Sequence, residues 1–184
     1  MKSFFNSFFI AGGLLIVCHS RAADVSGAAT KVPTSIELHD QYDAPQKLSF
    51  PSTNITVLTI ADKKGSEQVD GWIAALKPRY AGRIKILGIA DVGGAPAFVH
   101  DKIRKKFQET RPYPVMMDWS GKVCAQLSYK PDVANILVIG RNGAILGRFS
   151  GLANVPKLAE ACSLLDRVLS HTQPIKQDKK ATTP

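Results

Sequence analysis

The chain has 184 residues, 45% hydrophobic and 21% charged, with 24 Lys and Arg against 15 Asp and Glu. That length supports a single domain with a real core. Three cysteines are too few for a disulfide scaffold, and no recognised nucleic-acid-binding motif accompanies the basic charge.

The chain opens with Lys2, an apolar run over residues 4–17, and Ser20-Arg21-Ala22, which offers small residues at the −3 and −1 positions of a cleavage site. This is the pattern of a secretory signal peptide over residues 1–22. The run is too short for a membrane span, and no other segment approaches ~20 apolar residues. A lipid-attachment reading through Cys18 fails on bulky Val17. The mature chain is expected to begin near Ala23, in the periplasm or outside the cell, where cysteines meet an oxidising environment. Loss of Lys2 and Arg21 leaves a charge of about +7. Such a surface is either simply solvated or drawn to an anionic envelope, polysaccharide or acidic partner.

Residues 23–31 are small and polar and read as a flexible lead-in. Residues 32–40 alternate apolar and polar side chains, and 46–50 do so again after a turn, which predicts a β-hairpin. The β-branched run Ile55–Ala61 fits a central strand. Asp62 or Ser66 is placed to cap a following helix that buries Val69, Trp72, Ile73 and Leu76 and ends or kinks at Pro78. Residues 83–90 form a second strong strand. After the Gly93-Gly94-Ala95-Pro96 loop, a helix over 97–110 is expected to bury Val99, Ile103 and Phe107 and to turn Lys102, Arg104, Lys105 and Lys106 outward. Residues 113–118 are extended, and 121–129 form a short helix with Val123, Cys124 and Leu127 inward. Asn142-Gly143 between two apolar runs, 136–139 and 144–149, is the strongest local hairpin signal. Asn154 caps a last helix with Leu158, Ala161, Cys162, Leu165, Val168 and Leu169 on one face. Residues 171–184 are polar and basic, as expected of a disordered tail. Strands separated by helices imply parallel pairing through right-handed crossovers, and the closing hairpin adds an antiparallel pair.

Four stretches together resemble the thioredoxin-like superfamily, in particular its redoxin and peroxiredoxin-like (AhpC/TSA-type) branch. They are Val32-Pro33 with Ile36 to Asp40; residues 55–68; Tyr113-Pro114 through Asp118 to Tyr129; and residues 136–143 followed by Arg148-Phe149-Ser150-Gly151. The resemblance spans residues 32–170. It implies an α/β fold, a three-layer α/β/α sandwich with an N-terminal β-hairpin and a mixed central sheet.

The departures from that family bear on function. Its enzymes place a reactive cysteine at the start of the helix after the first central strand. There the free N–H groups and partial positive charge favour the thiolate. Here that loop is Asp62-Lys63-Lys64-Gly65-Ser66-Glu67-Gln68. Gly65 and Gln68 stand near the two cysteine positions, and Ser66 is a poor substitute because its hydroxyl lacks a positioned base. The family's cis-proline position falls on Ala134 or Asn135, where a trans loop is expected.

What remains is a candidate binding surface rather than a catalytic one: a vestigial cleft built from Asp62, Lys63, Lys64, Gly65, Ser66, Gln68, Ala134 and Asn135, with Trp119, Tyr129 and Lys130 at its rim. Cys124 and Cys162 are open to three readings: buried free thiols, a disulfide with each other, or a relocated reactive thiol. The three mature histidines, His39, His100 and His171, show no ligand spacing and read as surface residues, so neither a metal nor another cofactor is expected. The Gly88 to Gly94 segment lacks a phosphate-binding pattern, and no Gly-x-Ser-x-Gly is present. The expected function is that of an exported, redox-inactive binding or accessory protein of the cell envelope. Its partner would be an unidentified protein or an anionic envelope component. The alternative is a thiol-disulfide oxidoreductase or thiol peroxidase using Cys124, with Cys162.

Overall fold

A computed structural model describes residues 30–170. The expected leader, most of the lead-in and the tail from His171 on, that histidine included, lie outside the described residues. The elements in order are β1 (Ser35–His39), β2 (Pro45–Ser49), β3 (Ile55–Ala61), α1 (Val69–Arg79), β4 (Ile84–Asp91), α2 (His100–Thr110), β5 (Met116–Asp118), α3 (Lys122–Gln126), β6 (Asn135–Ile139), β7 (Ile145–Ser150) and α4 (Val155–Ser170). Single 3-10 turns at Gly65–Gln68 and Ala97–Val99 lead into α1 and α2.

The main sheet has the order β5-β4-β3-β6-β7. β3 runs parallel to β4, and β4 to β5, whereas β6 is antiparallel to both β3 and β7. All seven residues of β3 are buried, as a strand with neighbours on both sides and layers on both faces must be. Its side chains alternate between two cores. Ile55, Val57 and Ala61 face α1 and α4 with Trp72, Leu76 and Leu165. Leu58 and Ile60 face the opposite layer with Cys124, Leu127 and the hairpin residues Ile36 and Leu48. The third layer is thus the β1–β2 hairpin plus the short α3. The arrangement is the expected mixed-sheet, three-layer α/β fold.

Local signals held where they had a mechanism. Gly143 takes the positive φ of +83° that the β6–β7 turn requires. The Asn154 side chain accepts the Lys157 N–H at 3.1 Å and caps α4. Helix α1 ends at Arg79, one residue past Pro78. One expectation about α2 is corrected. No residue of it is buried, and Ile103 and Phe107 are only partly covered, against Ala90, Val115 and Met117. Val99 is likewise only half-buried. Arg104 turns inward: its guanidinium sits 5.4 Å from the Trp119 ring and binds Asp43 at 3.2 Å. The attraction of the guanidinium for the ring face and its ion pair with Asp43 draw this charged side chain in from the solvent face.

One clamp was not anticipated. Gln41 is fully buried, and its Nε2 donates to the carbonyl of Tyr113 at 2.9 Å while its Oε1 accepts the Val115 N–H at 2.8 Å. A single amide therefore ties the hairpin to the chain entering β5.

Candidate functional site

The loop after β3 and the loop before β6 meet at the carboxyl end of the central strand. Asp62 organises the first. Its Oδ1 accepts the Gly65 N–H at 2.8 Å, which makes Asp62, not Ser66, the residue that shapes the helix entry. Its Oδ2 accepts the Asp132 N–H at 2.6 Å and the Tyr129 hydroxyl at 3.2 Å. Burial pushes the Asp62 carboxyl up, but the N–H groups of Gly65 and Asp132 and the Tyr129 hydroxyl outweigh it and hold it below the usual carboxylate range. The Tyr129 hydroxyl is shifted the other way by burial and by the neighbouring Asp91 and Asp62 carboxylates, and stays protonated.

Gln68 closes the junction from the helix side. Its Oε1 accepts the Ala134 N–H at 3.2 Å. Asn135 is buried and spent on its own loop: Oδ1 accepts the Lys130 N–H at 2.8 Å, and Nδ2 donates to the carbonyls of Lys130 at 2.8 Å and Val133 at 2.9 Å. Ala134 is buried, and its carbonyl accepts the Gly151 N–H at 2.8 Å. Gly65 is packed so closely that a Cβ on it would lie 2.5 Å from the Val133 carbonyl oxygen. The two loops are therefore in contact where a groove was expected. Among the described residues the one cis peptide bond precedes Pro51, so the bonds around Ala134 and Asn135 are trans.

Of the predicted cleft residues, Asp62, Gly65, Gln68, Ala134 and Asn135 come together in this sealed junction. Lys63 and Lys64 are exposed, and Lys64 pairs with Asp132 at 3.2 Å. The Ser66 hydroxyl bonds the Lys63 carbonyl at 2.8 Å and points at no base. Tyr129 belongs to the junction, but Trp119 does not: it stacks on His100 with ring centroids 3.9 Å apart. That stack also removes His100 from the set of isolated surface histidines, and His39 bonds Asp43 at 3.1 Å. Beside the junction two large apolar side chains stand out into solvent, Leu152 at 66% and Val155 at 81% exposed. They follow the turn of Gly151, whose carbonyl accepts the Trp72 indole N–H at 2.9 Å.

Cys124 and Cys162 are each free, so the disulfide between them is not formed. The reason is topological: Cys124 packs in the core on one face of the sheet and Cys162 against the core on the other. Cys124 is 1% exposed. It lies in the first turn of α3, a place that would normally favour a thiolate. Here its own N–H is taken by Asp118 Oδ2 at 2.9 Å. Burial pushes the Cys124 thiol up, and the Asp118 and Asp91 carboxylates push it further. A helix start that already faces a buried carboxylate offers a second anion no stabilisation.

No family model matches the sequence, and no curated protein matches it. Solved structures do match in shape. The chain superimposes on a protein assigned as the thiol:disulfide interchange protein DsbE of Chlorobium tepidum, with TM-score 0.56 and 17% identity over 78% of this chain and 97% of that one. The exposed lipoprotein thioredoxin Etrx1 of Streptococcus pneumoniae matches with TM-score 0.58 and 13% identity over 72% and 98%. Peroxidoxin BcpB of Mycobacterium tuberculosis matches with TM-score 0.51 and 20% identity over 79% and 97%. The fold is thioredoxin-like.

Proposed function

We propose that this chain is an exported, redox-silent thioredoxin-like domain that serves as a binding or accessory protein of the cell envelope. The observation that carries this reading is the contact between Gly65 and Val133. Gly65, near which the resemblance would place a reactive cysteine, has no room even for a Cβ. No cysteine occurs in residues 62–68. The envelope assignment rests on the leader pattern of residues 1–22, and the fold neighbour named as an exposed lipoprotein supports it. The exposed Leu152 and Val155 beside the sealed junction supply the apolar surface on which a protein partner would sit.

The competing reading, turnover through Cys124, needs an accessible thiolate. Burial and Asp118 oppose both requirements. Alkylation of the native protein, followed by mass spectrometry of each cysteine, tests the assignment. Cys124 should label about a hundredfold more slowly than in unfolded protein, with half-buried Cys162 ahead of it. Rapid native labelling of Cys124 would return the chain to the enzymes.

A further inference from the structure

Helix α2 has no buried residue; it rests on Ile103 and Phe107 and leaves the side away from them to solvent. Phe98 stands in the 3-10 turn that opens it and is 87% exposed, more than any other large hydrophobic side chain among the described residues. Lys102, Lys105 and Lys106 follow at four, seven and eight residues, all exposed. At about 100° per residue the three lysines share one face, turned away from Ile103 and Phe107, and the exposed Glu109 lies on it among them; Phe98 precedes that face in the 3-10 turn. The ion pairs on this helix among the described residues all belong to Arg104, which binds Asp43 at 3.2 Å and Asp101 at 3.4 Å. The three lysines have no such partner there. Glu109 sits among the lysines and Asp101 lies at the edge of their face, paired with Arg104, so the face keeps a net positive charge from three lysines against Glu109.

We propose that the face carrying Phe98, Lys102, Lys105 and Lys106 docks on an anionic lipid bilayer. The lysines would lie on the phosphate headgroups, and the Phe98 ring would enter the boundary with the acyl chains. This rests on the envelope assignment above, which brings the chain to such a surface; it does not depend on whether the thiols react. Two features favour lipid over other anions. A soluble polyanion offers an exposed aromatic ring no apolar phase. A helix of eleven residues is about 16 Å long and about 11 Å across, a footprint of roughly 200 Å², well short of the ~800 Å² that a stable protein interface buries on each side.

Vesicle co-sedimentation tests the surface, using protein purified after export and variants that share its termini. Any contribution of residues 23–29 and 171–184 then cancels in the ratios. Vesicles of phosphatidylcholine with about 30% phosphatidylglycerol should bind the chain at least ten times better than phosphatidylcholine alone, and about 0.5 M salt should release it. Phe98→Ser should weaken binding about tenfold. The triple change of Lys102, Lys105 and Lys106 to Gln should weaken it about a hundredfold, at roughly fivefold for each lysine. Lys47→Gln, on the hairpin, should change nothing. Equal binding to neutral vesicles, no binding to either, or binding indifferent to these variants would overturn the proposal. So would capture by dextran sulfate without vesicle binding, which would make the face a polyanion site. Catalytic assays of the thiols are unaffected by any of these outcomes, so the two readings fail separately.

Discussion

The carbonyl oxygen of Val133 sits where a side chain on Gly65 would begin, 2.5 Å from the Cβ site. Backbone cannot yield there as a flexible side chain does, because the Asn135 amide holds the Lys130 and Val133 carbonyls and the Gly151 N–H holds the Ala134 carbonyl of the same loop. Gly65→Ala should therefore destabilise the protein by about 1–3 kcal/mol in a urea titration, despite alanine's better helix propensity. An unchanged midpoint would mean the two loops separate easily.

Asp62 links that junction to pH. Its folded carboxyl lies below the ordinary value of 3.8, so the stability it contributes is present above that value and lost as pH falls through the folded one. Wild type should exceed Asp62→Asn by a constant margin from about pH 5 upward, and the margin should close below pH 4. Paired urea melts across that range give the comparison; a margin that widens in acid would mean the carboxyl is raised instead.

Gln41 joins two parts of the fold through one buried amide with both ends bonded. Gln41→Ala leaves the Val115 N–H and the Tyr113 carbonyl without that partner. A loss of about 2–4 kcal/mol is expected, with hydrogen exchange rising first at Val115. A loss under half a kcal/mol would show that water replaces the amide at little cost.

How much of this was legible beforehand differs by scale. The β3 run, the Asn142-Gly143 turn and the Asn154 cap could be read because each follows a local rule: β-branching, a positive φ, an orphan N–H. Of the candidate site, the sequence shows directly only that residues 62–68 hold no cysteine. The contact between Gly65 and Val133 was not legible, because it joins residues far apart in the chain through backbone atoms that leave no pattern. Gln41 was hidden for the same reason, as a polar residue in a turn ordinarily faces water. Arg104 was misjudged because helical spacing alone does not show that Trp119 waits beside it.

Cys162 lies under a second buried contact. The hydroxyl of Tyr80, a residue 1% exposed, shares its one proton between the Cys162 carbonyl at 3.1 Å and Asp166 Oδ1 at 3.0 Å. Tyr80→Phe should cost about 1–2 kcal/mol and speed alkylation of Cys162 without affecting Cys124 on the far face of the sheet. Equal acceleration at both cysteines would mean the two cores open together.

The most direct measurement is turnover. Purified protein is offered insulin with dithiothreitol and, separately, a hydroperoxide with a thiol reductant. A junction sealed by Val133 and a thiol buried beside Asp118 predict rates equal to those without protein. Reduction or peroxide consumption that disappears in the Cys124→Ser, Cys162→Ser double variant would contradict the account.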